Sequence, residues 1–284
     1  MLFQEPVFLV FIAAFITLAL VWGVWCVLGR RGASVKKKED SLGDIGDQLC
    51  RISGQISPEL FTQIKEEGID LIPKLVSHWP EISPEIREQL WDFWESQGYI
   101  DNYIKRLGSK NEEVCIEAAQ VLMKLKNKKL ILPLVDALMA PDQFVPARVG
   151  EVLLSYGSDA SEVMIRRLPE LPPEARCQVI SILEEFGNPQ AVSCLLNELT
   201  HPSSQVRIKA VDALGTLGNG KITESLIKMM DDADWKVRAA AAKALGKTQA
   251  PQGIPALEKA LKDEAWWVRK NAEEAIKKIS FKNS

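Results

Sequence analysis

The tetrapeptide Trp235-Lys-Val-Arg returns 31 residues later as Trp266-Trp-Val-Arg. A fixed period in this range constrains the fold more than any other feature of the chain. It marks an array of supersecondary units that cannot bury their apolar faces alone and must stack. With Val268 as anchor, the equivalent positions are Val237, Val206, Ala175, Val145, Val114 and Ile86, at steps of 31, 31, 31, 30, 31 and 28, and every one is apolar. Downstream of the anchor, apolar residues fall at +4, +7, +8 and +11, as in Ala175, Val179, Ile182, Leu183 and Phe186. Upstream, −14, −11, −10 and −7 give a second stripe, as in Val192, Leu195, Leu196 and Leu199. Both are the buried faces of amphipathic helices.

Between the helices lie Gly157-Ser-Asp, Gly187-Asn-Pro, Gly218-Asn-Gly and Ala250-Pro-Gln-Gly. Glycine just past a helix end supplies a left-handed residue, and Ser, Asp or Asn before the next start caps it. No strand-like alternation interrupts the pattern, so the expected class is all-α.

Asp234-Trp-Lys-Val-Arg-Ala-Ala-Ala-Ala-Lys-Ala-Leu-Gly246, and in part Gln205-Val-Arg-Ile-Lys-Ala-Val-Asp-Ala-Leu-Gly215, resembles HEAT-like repeats of the phycocyanobilin-lyase type. The resemblance is strongest over the last three units and absent before Pro58. It implies a right-handed α-solenoid of about seven helix pairs, the second helix of each pair on the concave side. It specifies fold more than function, because most proteins with such repeats are binding scaffolds.

Ahead of the repeats, Val7 to Leu28 carries no charge and as a helix reaches roughly 33 Å, enough for a bilayer core. The expectation is a single transmembrane helix. Only Glu5 precedes it, whereas Arg30, Arg31, Lys36, Lys37 and Lys38 follow. The positive-inside rule then puts the N-terminus out and the bulk of the chain in the cytoplasm, with Trp22, Trp25, Arg30 and Arg31 at the inner interface. Ala19 and Gly23 form one small-xxx-small pair that offers a route to homodimerisation. The expected boundaries are 1–6 for a short extracytoplasmic N-terminus, 7–28 for the span, 29–47 for a basic linker and 48–284 for the solenoid. Leu42, Ile45, Leu49, Ile52 and Ile56 follow 3-4-3-4 spacing, so part of this stretch is expected to form a helix that shields the first apolar face.

At 46% apolar and 26% charged residues, the chain is neither disordered nor fibrous. Setting aside Glu5 and the five cations beside the apolar segment leaves 30 basic and 37 acidic residues, a net −7. That balance argues against nucleic acid as the default partner. Lys105, Arg106, Lys110 and the Lys124 to Lys129 cluster form a basic stretch, but Glu112, Glu113 and Glu117 break it. Five cysteines without Cys-x-x-Cys and two distant histidines, His78 and His201, provide no metal-ligand spacing and no histidine base with partners. No residue is nominated as catalytic and no cofactor is expected. The resemblance alone raises tetrapyrrole attachment as an alternative activity.

Three residue sets remain. Arg87, Arg176, Arg207, Arg238 and Arg269 follow the anchor in five of the seven units and are expected to bond the adjacent unit as a structural ladder. Trp235, Trp266 and Trp267 place indoles along one edge, suited either to packing or to a partner. Positions −9 and −8, which the resemblance puts on the concave face, contain Lys105, Arg106, Arg166, Arg167, Lys228 and Lys259 against Asp136 and Glu198. A mildly basic groove favours an acidic segment of a protein partner. In the helix after Ile86, Leu90 and Phe93 already make the stripe, so one of Trp91 and Trp94 is expected to be partly exposed. The combined expectation is a membrane-anchored scaffold that recruits a protein through its groove.

Overall fold

Each of the seven anchors falls at a helix start. It is the third residue of its helix in every case but Val145, the first residue of α8. The computed structural model describes residues 44–139, 145–218 and 222–282. Among them are α1 (44–51), then α2 (Pro58–Glu67), α3 (Ile72–His78), α4 (Pro84–Ser96), α5 (Tyr99–Arg106), α6 (Glu112–Leu125), α7 (Ile131–Ala137) and α8 (Val145–Ser155). They are followed by α9 (Ser158–Arg167), α10 (Pro173–Phe186), α11 (Ala191–Glu198), α12 (Ser204–Leu217), α13 (Thr223–Met229), α14 (Trp235–Thr248), α15 (Ile254–Ala260) and α16 (Trp266–Lys282). No strand occurs among the described residues.

Local chemistry sets the helix ends. Ser57 and Ser83 cap α2 and α4 with proline at the next position, and Asn111 and Asp234 accept from the amides of Glu113 (3.0 Å) and Lys236 (2.9 Å). These bonds satisfy donors that have no partner inside the helix. The expected breakers behave unequally. Gly187 is the left-handed cap of α10 (φ 65°, ψ 21°), whereas Gly218 is extended (φ −77°, ψ 153°). A Cβ on Gly218 would stand 2.6 Å from the Leu214 carbonyl oxygen and 2.0 Å from Cδ1 of Ile222; close approach, not conformation, calls for glycine there. After α14 the left-handed residue is Gln249 (φ 51°), so the stop precedes the Ala250-Pro-Gln-Gly signal.

The contacts divide the chain between Tyr99 and Ile100. In the first unit, Ile45 and Leu49 of α1 are buried, and Gly46 lies so close to His78 that a Cβ would come within 3.0 Å of Nδ1. The covering helix is therefore present over 44–51. Trp91 (1% exposed) and Trp94 (0%) are both buried, which corrects the expectation that one of them reaches solvent. Trp94 stacks on Trp79 at 5.4 Å, and this second aromatic layer holds a face the stripe alone would leave open.

In the second unit, α6, α8, α10, α12, α14 and α16 pack side by side as one layer. The short helices α7, α9, α11, α13 and α15 form the other, each set against the long helix that follows it. Leu195, Leu214, Leu226, Leu245 and Leu257 lie between the layers with no exposure, each contributing about 1.5–3 kcal/mol by burial. Small residues bring the last long helices together. A Cβ on Gly215 would meet Ala244 Cβ at 2.7 Å, and one on Gly246 would meet Ala275 Cβ at 2.9 Å.

The expected fold class is corrected in one respect. Among the described residues no helix is long and apolar enough to cross a membrane. The longest helix given above, α16, has 17 residues and carries charged side chains through its length, so it offers no continuous apolar surface to lipid. Residues 7–28, with Trp22, Trp25, Arg30 and Arg31, lie outside the described residues. The transmembrane helix, the inner-membrane placement with the N-terminus out and homodimerisation through a span are not carried forward.

Candidate partner-binding surface

The anchor arginines sit at the fourth position of α10, α12, α14 and α16, where one side chain reaches both the turn behind it and the turn ahead. Nη1 of Arg207 donates to the carbonyls of His201 (2.9 Å) and Pro202 (3.1 Å), while Nε and Nη2 fork onto Asp232 at 2.8 and 2.8 Å. One unit on, Nη1 of Arg238 donates to the carbonyls of Asp232 (2.9 Å) and Ala233 (3.3 Å), and Nε and Nη2 fork onto Asp263 at 2.8 and 3.0 Å. Arg176 joins Glu198 at 2.9 Å and holds the carbonyls of Pro169 and Leu171. The side chains of these three pairs are 6–16% exposed. Asp232 and Asp263 also accept from the amides of Asp234 and Ala265, both at 2.8 Å.

Arg269 donates through Nη1 to the carbonyls of Asp263 (2.8 Å) and Glu264 (2.9 Å). No carboxylate reaches it among the described residues. Arg87, in the first unit, donates through Nε to the Ile82 carbonyl at 2.7 Å.

The Arg238 guanidinium, followed by the Ala265 amide, holds the Asp263 carboxyl below its ordinary value, against an opposing contribution from burial. The unfolded chain then binds the proton more readily. Stability from this group is fully present above the ordinary aspartate range, near pH 4, and is lost as pH falls toward the folded value. An Asp263→Asn variant is expected to lose less stability than the parent below about pH 4, measured by urea unfolding at stepped pH.

Trp235, Trp266 and Trp267 are 40%, 53% and 52% exposed, whereas Trp79, Trp91 and Trp94 are at 4% or less. The indoles of Trp266 and Trp267 meet edge to face at 4.6 Å. Lys270 Nζ lies 5.1 and 5.5 Å from their ring centres, and Lys236 Nζ lies 5.8 Å from that of Trp235. The N-terminal edge of α14 and α16 thus carries exposed indoles, each with a lysine ammonium over its ring.

Four of the six groove cations sit on the short-helix layer and Lys105 and Arg106 end α5, and together they do not form one basic patch. Arg167 bonds Asp136 at 2.8 Å and also contacts Glu170, and Lys259 bonds Asp231 at 2.7 Å. Arg106 lies over the Tyr103 ring at 4.9 Å. Lys105, Arg166 and Lys228 are exposed. Of the two groove acids, Asp136 is taken by Arg167 and the buried Glu198 by Arg176. Sequence reasoning missed these pairings although the period contains them: Asp136 and Arg167 are 31 residues apart, as are Lys128 and Asp159, which meet at 2.9 Å. In a stacked array, residues one period apart are neighbours.

Two clefts complete the surface. One, of about 450 Å³, lies along α8, α10 and α12, lined by Leu154, Cys177, Gln178 and Ile182 with Glu185 and Lys209. The other, of about 800 Å³, lies between α13 and α15 and is bordered by Asp231, Lys259 and Lys262. Burial, followed by the Glu198 carboxylate, raises the Cys194 thiol to about 11, and burial raises Cys177 as well, so neither thiol is poised as a nucleophile. Among the described residues no cluster of His, Cys, Asp and Glu is arranged to hold a metal ion.

Paired helices stacked in two layers and tied by periodic arginine–carboxylate bonds define an α-helical repeat protein. The family model of HEAT repeats matches residues 161–223 and 223–282, and over those residues the helix pairs are similar to HEAT repeats. Among solved structures, it is 22% identical to a chain from the complex of CpcE and CpcF of phycocyanin lyase from Nostoc sp. PCC7120; the match covers 53% of this chain and 99% of that one, with a TM-score of 0.49. Human deoxyhypusine hydroxylase in complex with glycerol is 17% identical over 88% of this chain and 99% of that one, with a TM-score of 0.38. An engineered protein is 18% identical over 64% and 98%, with a TM-score of 0.39. No curated protein matches the sequence.

Proposed function

We propose that this chain is a protein-interaction scaffold whose second unit holds a partner carrying an acidic segment. One observation carries the reading: three indoles are 40–53% exposed on an array that keeps Trp79, Trp91 and Trp94 at 4% or less. Exposing such side chains to water is unfavourable, and tryptophan is enriched where a few residues dominate binding. Lys236 and Lys270 beside the indoles, and Lys105, Arg166 and Lys228 on the short helices, give the field that an acidic partner complements.

Cross-linking in cell extract and mass spectrometry with the full-length chain test this, beside a variant with Lys105→Glu, Arg166→Glu and Lys228→Glu. These three are chosen because they make no ion pair among the described residues, so the variant should keep the parent's melting temperature within a few degrees. Proteins that cross-link to the second unit of the parent are expected to be depleted about tenfold or more in the variant or in Trp266→Ala. An unchanged cross-link map in both would remove the scaffold reading.

A further inference from the structure

Two members of the arginine series, Arg87 and Arg269, meet no carboxylate among the described residues, and Arg269 is the one that stands beside exposed indoles. Arg207, Arg238 and Arg269 present the same atom, Nη1, to the carbonyls six and five residues before them. In Arg207 and Arg238 that anchorage turns Nε and Nη2 toward a carboxylate at 2.8–3.0 Å. In Arg269 the anchorage is equally tight, at 2.8 and 2.9 Å, and no carboxylate meets the free edge among the described residues. Nearby acids are engaged elsewhere: Asp263 with Arg238, Glu273 with Lys277 at 2.5 Å, and Glu264, 89% exposed, 3.5 Å from Arg238.

We infer that the free edge of Arg269 is a carboxylate-binding site, and that it receives an Asp or Glu side chain from a partner segment whose adjacent apolar residue packs on Trp266 and Trp267. This inference rests on the scaffold reading and names the chemistry its partner brings. A planar guanidinium offers two parallel N–H groups matched to the two oxygens of a carboxylate. The carbonyl bonds hold that fork before the ligand arrives, so little side-chain freedom remains to be lost. Trp266 and Arg269 are three apart on α16 and therefore neighbours on its surface. Lys270, over both indoles at 5.1 and 5.5 Å, adds positive charge. An acidic residue followed by Leu or Phe fits both halves of the site.

Fluorescein-labelled Gly-Glu-Leu-Asp-Phe-Gly and its amide counterpart Gly-Gln-Leu-Asn-Phe-Gly probe the site by anisotropy with the full-length chain. The acidic peptide is expected to bind at least about tenfold more tightly. Arg269→Gln should abolish the difference. Arg269→Lys should also weaken acidic binding, because an ammonium keeps the charge without the fork. Trp266→Ala should weaken both peptides. Thermal melts of each variant verify folding. Equal binding of the two peptides, binding of neither, or full acidic binding by Arg269→Gln overturns the inference. If the acidic peptide is lost only from the Lys105→Glu, Arg166→Glu, Lys228→Glu variant, the Arg269 site falls while the scaffold reading stands.

Discussion

Replacing Gly246 by leucine is expected to destabilise the protein by about 3 kcal/mol, the upper part of the usual range for overpacking a tight interface. The first added carbon alone would lie 2.9 Å from Ala275 Cβ and 3.0 Å from Ala275 Cα. The second of these is backbone, so α16 must move as a body. Leucine favours a helix over glycine by roughly 0.5–1 kcal/mol, and the clash must outweigh that gain. The control is the repeat itself. Lys277 in α16 occupies the place of Gly246 in α14 and is exposed, so Lys277→Leu should change stability by no more than about 0.5 kcal/mol. Equal urea midpoints for parent and Gly246→Leu would show that the long helices are not in the close contact described.

Arg238→Ala should cost about 3 kcal/mol, because it strands a carboxylate rather than simply removing a bond. Asp263 is 13% exposed at its side chain, and truncating the partner of a largely buried ion leaves desolvation uncompensated. Asp232 and Ala233 also lose the donor to their carbonyls. Asp263→Ala introduced with Arg238→Ala should restore part of the loss, and a double-mutant cycle measures the coupling. Arg269→Ala should cost less, about 1 kcal/mol, since no carboxylate is left behind. If the two arginines prove equally costly in urea unfolding, the Asp263 fork is not what stabilises this turn.

The repeat was legible because a helix pair that packs only on its neighbours needs the same apolar positions in every unit. The anchors Ile86, Ala175, Val206, Val237 and Val268 are buried at 0–1%, and the cap residues Ser57, Ser83, Asn111 and Asp234 act as their types suggest. The candidate surface was legible only as residue types. The repeated spacing pointed to arginines, indoles and groove cations, but a count of six cations against two acids overstated the groove, because Arg167 and Lys259 are neutralised from the preceding unit. Trp91 and Trp94 were misjudged for a related reason: a single helix stripe ignores the second aromatic layer that Trp79 supplies.

By itself, then, the sequence determined the helical class, the period and the buried stripes, since these follow from side-chain polarity read along one helix. Tertiary structure alone decided which arginine finds a carboxylate, which cations remain free and which indoles stay in water. Those outcomes depend on distances between side chains 22–31 residues apart, and only stacking one unit on the next sets such distances.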